Sequence, residues 1–279
     1  MRKIFLKVIF AAFFIFAPVF YYQNTASAAA DAVGGVNSFQ QILQDENRFK
    51  YLGWWGQINA NNIPVYDSAS KLSKNLGKLS KVNRVKVLGE VQGHVIDGNG
   101  LWFKIDGGAF PEAYVFSAYV TPVAQPEPPA DVNIPLLVNP GEYWIDVNLT
   151  AQVLTLFQYD KPIFATYIST GRVGRSTVRG TYRIKYKLLK TRMRGGIPGT
   201  SSYYNLANVP YTMYYYGSYG IHGTYWHDKF GTRQSSGCTN LTQGDAKYIF
   251  DLTGPKLADG VRSVWFSADN MGTVVYNHY

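Results

Sequence analysis

From Tyr51 onward, apolar residues come in short runs that alternate with polar ones and are broken every few positions by Gly, Asn, Asp or Pro. Alternation with a period of two puts one side of an extended segment into a core and leaves the other outside, whereas a helix needs apolar residues three and four apart. The composition points the same way, because 22 tyrosines, 27 glycines and 13 prolines favour strands and turns. The pattern predicts a mostly β protein. At 279 residues and 46% apolar content, the chain can build two modest cores.

The first 28 residues follow a different rule. Arg2, Lys3 and Lys7 precede an apolar run from Val8 to Phe20, and Ala26-Ser27-Ala28 supplies small residues at a cleavage spacing. This is the layout of a secretory signal. The alternative, an uncleaved anchor, meets a run that contains Pro18 and falls short of the roughly 20 residues a spanning helix needs. Residues 29–48 are small and polar, then weakly helical, and are assigned as a leader. Export places the chain in the cell wall or outside the cell, or in the periplasm of an organism with an outer membrane. With one cysteine in the chain, no internal disulfide can form.

Removing the signal takes the formal charge from +9 to +6, because it carries three cations and no acid. The surplus is concentrated. Ten Lys or Arg residues lie between Lys161 and Arg194, and no Asp or Glu occurs between Asp160 and Asp228. Such a stretch suits polyanions or carboxylate-bearing ligands, or is simply a solvated face. For an exported chain an anionic wall is a nearer partner than nucleic acid, which is not expected to bind.

Two strand-rich regions flank "PVAQPEPPADVNIP", residues 122–135, whose prolines block helix and central strand. A linker is therefore placed at 124–140. The region before it contains "NIPVYDSAS", "RVKVLGEV", "LWFKI" and "AYVFSAYVTP" in that order. In this order the segments resemble bacterial SH3-type domains attached to wall hydrolases, which implies a small barrel over 49–123 that contacts wall peptides. Trp54, Trp55, Tyr66 and Trp102 either line a groove there or, as is commoner in a small barrel, form its core.

The second region, 141–279, opens with alternating "EYWIDVNLTAQVLTLF" and a "YDKP" turn. Further strands are expected at Thr181–Leu188, Thr212–Tyr216, Ser263–Ser267 and Thr273–Tyr276. One helix is expected: Thr242 and Asp245 form a capping pattern, Ala246, Ile249 and Phe250 an apolar stripe, and Gly254-Pro255 a stop.

Just ahead of that helix, "IHGTYWHDKFGTRQSSGCTNL" holds the sole cysteine, Cys238, with His222 sixteen positions earlier and a glycine immediately before the cysteine. Attack by sulfur on a carbonyl needs a thiol, a base and donors for the oxyanion, and these residues can supply all three. Taken alone, the pair fits a buried structural cysteine and a structural histidine better than a catalytic site, since a lone cysteine is among the most commonly buried residues. A metal site is not expected, since Cys238, His222, His227 and the distant His94 lack close ligand pairs.

"HGTYWHDKFG" followed by "SSGCTNL", together with "WIDVNLTAQVLTLF", "YISTG" and "RSTVRGTYRI", resembles L,D-transpeptidases of the YkuD type over about residues 141–270. The resemblance implies a β-sandwich-like catalytic domain and no cofactor. Cys238 is then the nucleophile, His222 its base and later acid, Gly223 supplies a carbonyl that orients the imidazole, and the amides of Gly237 and Cys238 form the oxyanion hole. Ser236, Asn240, Tyr214 and His227 are assigned to the substrate side, Asn240 also supporting the turn and His227 lying on the rim. Tyr203, Tyr204, Met213 and Tyr216 form an aromatic approach, and Arg172, Arg175 and Arg179 are candidates for stem carboxylates.

The implied reaction is transfer of a peptidoglycan tetrapeptide stem, through its third residue, to an amine of another stem, with carbapenem-type β-lactams as covalent inhibitors. Stem trimming by water and a catalytically inactive wall-binding protein remain open alternatives. Two departures from the family pattern stand out: Ser236 replaces a histidine common before the Gly-Cys pair, and Val178 replaces a proline in "STVRGTY".

Overall fold

The computed structural model describes residues 53–200 and 202–279. The signal and the leader assigned to residues 1–48 lie outside the described residues. No helix among the described residues is long and apolar enough to cross a membrane.

The first region contains seven strands rather than about five: β1 (Trp54–Ile58), β2 (Ile63–Tyr66), β3 (Asn75–Leu79), β4 (Arg84–Ile96), β5 (Asn99–Asp106), β6 (Pro111–Phe116) and β7 (Val120–Pro122). They form one antiparallel sheet in the order β3-β2-β6-β5-β4-β1-β7. Leu79 from one end of this order and Val120 from the other share a cluster with Ile58, Val65, Val85, Ile105 and Val115. Both ends can enter one cluster only if the sheet is rolled around it, which is the barrel-like shape expected. Trp55 and Trp102 are fully buried, and Trp102 Nε1 donates to the His94 carbonyl at 2.8 Å. These rings are core, not groove.

The second region has β8 (Tyr143–Asn148), β9 (Val153–Gln158), β10 (Lys161–Tyr167), β11 (Gly180–Arg183), β12 (Tyr186–Gly195), β13 (Tyr204–Tyr216), β14 (Tyr219–Gly223), β15 (Thr239–Leu241), helix α1 (Gln243–Leu252), β16 (Ser263–Trp265) and β17 (Val274–His278). Two five-stranded sheets result, ordered β10-β9-β8-β17-β11 and β15-β14-β13-β12-β16. Their facing sides and α1 bury Ile145, Leu156, Phe164, Ile184, Met213, Tyr215, Ile221, Leu241 and Ile249 in one cluster. The helix is capped as expected, with Thr242 Oγ1 accepting from Asp245 N at 3.2 Å.

The stretch expected as one strand, Thr181–Leu188, is two. Ile184 N donates to Thr273 O and Lys185 N to Tyr214 O, so the chain passes from the first sheet to the second between β11 and β12. The basic stretch is likewise not one solvated face. Lys187 is buried, and its Nζ donates to the Phe250 and Thr253 carbonyls at 2.5 and 2.8 Å at the C-terminal end of α1. There the ammonium meets the negative end of the helix, while burial pushes its pKa down to about 7.

The barrel-like sheet and the two-sheet domain belong to one compact unit. Lys86 of β4 reaches Asp245 of α1, Nζ lying 2.5 and 2.6 Å from the two carboxylate oxygens, and Thr166 Oγ1 donates to the same carboxylate at 2.5 Å. Asp106 Oδ2 accepts from Gly244 N at 3.1 Å, and Asp228 Oδ1 accepts from Ala109 N at 3.1 Å. Trp55 packs edge-on against Tyr167 and Phe230. The contact is thus both apolar and charged, and it grips α1 and the loop that follows β14.

Candidate active site

Strands β14 and β15 run parallel, with Ile221 paired to Thr239 and His222 to Asn240. Side chains alternate across a sheet, so Ile221 and Thr239 face the core, and His222, Asn240 and Cys238 share the opposite face. Cys238, the residue before Thr239, falls beside Gly220, whose amide donates to the sulfur. Two positions apart on adjacent strands, the thiol and the imidazole are diagonal neighbours, a separation on the order of 7–8 Å between their Cα atoms.

His222 is 2% exposed, and its Nδ1 lies 3.0 Å from the Gly223 carbonyl. A carbonyl can only accept, so Nδ1 carries the proton and Nε2 is left as a free acceptor, the tautomer a base requires. Burial holds His222 down at about 4, which keeps the ring neutral. Cys238 keeps partial solvent access as a residue, yet the protein packed about its sulfur raises the thiol to about 11, with the Gly220 amide opposing. The thiol donates to Ser218 O at 3.5 Å. The resting pair is therefore a neutral thiol and a neutral imidazole, not an ion pair.

The turn before the cysteine is fixed from two sides. Thr177 Oγ1 donates to Gly237 O at 2.7 Å while accepting from Gly171 N at 2.9 Å. Ser235 Oγ donates to Cys238 O at 2.5 Å and accepts from Gly237 N at 3.0 Å. Gly237 has φ of 131°, and a Cβ there would lie 2.7 Å from the Tyr219 ring, so glycine is required on both counts.

The expected pair of oxyanion donors is corrected by this arrangement. The Gly237 amide is taken by Ser235, leaving the Cys238 amide as the turn's donor. Thr177 and Ser235 were not singled out in the sequence; a threonine sixty residues before Gly237 carries no local signal.

His227 and Asn240 also differ from expectation. His227 is not on the rim. Its ring is half-buried, Nδ1 accepts from Lys229 N at 3.2 Å, and the Asn240 side-chain amide lies 2.9 Å from Nε2. Burial holds His227 at about 4, with His222 and Lys229 acting in the same direction. The cause is the next residue: Asp228 is bound to the barrel-like sheet through Ala109 N, and Arg84 N donates to Asp228 O at 2.9 Å. Asn240 is 2% exposed and its backbone is paired on both sides with Ser169, so it positions His227 rather than facing a ligand.

Ser236 is exposed, and Arg175 Nη1 donates to its Oγ at 3.1 Å. Arg175 thus reaches the thiol turn with its guanidinium, Arg172 is tied to it by its backbone N donating to Ser235 O at 3.1 Å, and Arg179 lies over the Tyr279 ring instead. Tyr204 and Tyr214 are half-buried, and their hydroxyls are pushed up by burial and then by the neighbouring Cys238, Tyr214 to about 12. Met213 is core, and Tyr203 and Tyr216 are exposed.

Two packed sheets carrying a cysteine–histidine pair beside a glycine turn define a thiol site on a β domain. Residues 142–276 match the YkuD family, the L,D-transpeptidase catalytic domain, and this part of the chain is a domain of that family.

Similar solved structures include an L,D-transpeptidase from Mycobacterium smegmatis, at 21% identity and a TM-score of 0.41, covering 50% of this chain and 59% of that one. An L,D-transpeptidase of Enterococcus faecium is 22% identical with a TM-score of 0.38, covering 49% and 50%. L,D-transpeptidase 3 from Mycobacterium tuberculosis, in complex with a faropenem-derived adduct, is 18% identical with a TM-score of 0.40, covering 49% and 60%. The chain thus spans less than two thirds of the length of these neighbours. No curated protein matches the chain.

Proposed function

We propose that the protein is an exported peptidoglycan L,D-transpeptidase. The observation that carries this reading is the His222 tautomer within a YkuD domain: Nδ1–H is committed to Gly223 O, and Nε2 is available on the face that holds Cys238.

In the reaction, the thiol proton passes to His222 Nε2 as sulfur bonds to the carbonyl carbon of the third stem residue. The oxyanion forms beside the Cys238 amide, and its collapse breaks the bond to the terminal D-alanine. The amine leaves with the proton returned by His222, and a thioester remains on Cys238. A side-chain amine of a second stem then attacks, gives its proton to His222, and releases the cross-linked product and the thiol. Because the thiol is neutral at rest, deprotonation and attack are coupled. Carbapenem-type β-lactams, whose strained carbonyl suits the same sulfur, are expected to acylate Cys238. Wall contact through the barrel-like region belongs to the same proposal.

The test is mass analysis of tetrapeptide muropeptides incubated with the protein and with Cys238→Ala. Cross-linked dimers that vanish in the variant support transpeptidation. Shortened monomers alone would identify water as the acceptor and make the enzyme a carboxypeptidase. No conversion combined with an unreactive thiol would favour a catalytically inactive wall-binding protein.

A further inference from the structure

A cavity of about 420 Å³ is lined by Lys185, Tyr186, Tyr214, Ser218 and Trp265 among others. Its near end is Ser218, whose carbonyl accepts from Cys238. Its far end is the edge of the second sheet.

The strand register shows how these residues are arranged. Trp265 of β16 pairs with Tyr186 of β12, Tyr186 with Tyr214 of β13, and Tyr214 with Gly220 of β14. Cys238 lies beside Gly220. Paired residues of neighbouring strands share a face, so one row crosses five strands: Trp265, Tyr186, Tyr214, Gly220, Cys238. Gly220 is the one member without a side chain, and it leaves the thiol open toward the tyrosines. Neighbouring strands are about 4.8 Å apart, which puts Trp265 roughly 19 Å from the cysteine.

The far end of the row is a surface, not a core. Tyr186 and Trp265 are stacked with centroids 4.2 Å apart and planes 17° from parallel. Trp265 is 65% exposed and stands on the edge strand, so the indole is free on the side away from Tyr186. Phe266, the next residue, is 44% exposed as well, and aromatic surface left this open on an edge strand marks a contact site. Lys185 is exposed, lines the same cavity and makes no ion pair among the described residues; no acidic residue lines the cavity.

We infer that the Tyr186–Trp265 pair is a saccharide subsite that holds the sugar from which the donor stem hangs, with Lys185 meeting a stem carboxylate on the way to Cys238. This rests on the proposed transpeptidase reading and names the non-peptide part of its substrate. The lengths agree. With the third stem residue's carbonyl at the sulfur, three extended residues reach about 10 Å, and the attached sugar lies over the third and fourth steps of the row. The chemistry agrees too, since the C–H face of a pyranose is apolar and weakly positive and matches the negative face of an indole or phenol ring. The lone ammonium among apolar walls complements the carboxylate of the stem.

The experiment measures binding to Cys238→Ala protein, which cannot turn substrate over, by calorimetry with two probes: a disaccharide-tetrapeptide and the same tetrapeptide without sugar. The expected result is about 10-fold tighter binding of the sugar-bearing probe. Trp265→Ala is expected to bring that ratio to within about 2-fold of parity, and Trp265→Phe to retain about half of the discrimination on a logarithmic scale. Circular dichroism of each variant establishes that the edge strand is intact. Equal affinity for both probes, or a ratio unchanged in Trp265→Ala, would overturn the inference and leave the cavity to peptide. Sugar-dependent binding lost in Trp265→Ala supports the subsite even if the active protein forms no cross-links, an outcome that would count against the transpeptidase reading alone.

Discussion

The chemical state of Cys238 gives the sharpest prediction. The chain has one cysteine, so any thiol modification reports on that sulfur. With its pKa raised to about 11 by burial, about one molecule in ten thousand is a thiolate at pH 7, against about 3% for a free cysteine of pKa near 8.5. That is about a 300-fold deficit. A more basic thiolate is a better nucleophile, and a Brønsted slope of about 0.4–0.5 over 2.5 pKa units restores about tenfold. Alkylation by iodoacetamide at pH 7 is therefore expected to run about 20–30-fold slower than for free cysteine. The rate should climb about tenfold per pH unit through pH 9.5. The assay is intact-protein mass against time between pH 6 and 10. A rate at pH 7 equal to that of free cysteine, or a plateau below pH 8, would mean a preformed thiolate–imidazolium pair and would refute the neutral resting state.

Three further predictions follow from the contacts around the site. Thr177→Val removes the donor to Gly237 O and should lower kcat by at least about tenfold with little change in KM, because a peptide group next to the sulfur loses its anchor; steady-state kinetics on a tetrapeptide check it. Lys86→Met leaves the Asp245 carboxylate buried without its cation and should cost about 3–5 kcal/mol, while Lys86→Met with Asp245→Asn should cost less than the first change alone; urea unfolding of the set tests this, and additive losses would show that the pair is not coupled.

Acid stability supplies the third. Asp106 and Asp228, raised to about 6 chiefly by burial, add stability as pH falls below 6, which is complete below their ordinary value of 3.8 and lost again as pH rises through 6. His222 and His227, held near 4 instead of 6.5, act oppositely, their contribution being full above 6.5 and lost as pH falls through 4. The two pairs nearly cancel between pH 4 and 6. Asp106→Asn should therefore lose about 2 kcal/mol relative to wild type between pH 6.5 and 4.5, and parallel curves of urea midpoint against pH would contradict the assignment.

What could be read from the sequence was what local pattern encodes. Thr242 caps α1 because its hydroxyl acts three residues away, and β9 and β10 are separable because the "YDKP" turn lies between them. The Cys238 segment was legible because strand, turn and helix start fall within one stretch, and parallel pairing of β14 with β15 then brings His222 to the same face.

The unread parts are long-range. Lys86 and Asp245 are 159 positions apart, and Thr177 and Gly237 sixty. Nothing near His227 in sequence announces that Asp228 is anchored to Ala109, in the loop between β5 and β6. The break between β11 and β12 was hidden because Ile184 continues the apolar alternation while its backbone changes partner from one sheet to the other.

The central claim is that Cys238, served by His222, takes an acyl group from a stem peptide. Intact-protein mass after brief mixing with a tetrapeptide tests it most directly. The account predicts an adduct equal to the peptide less its terminal D-alanine, carried as a thioester, absent in Cys238→Ala and at least about a hundredfold slower to form in His222→Ala. An adduct that persists in Cys238→Ala, or none at any time on a thiol that iodoacetamide still modifies, would contradict it.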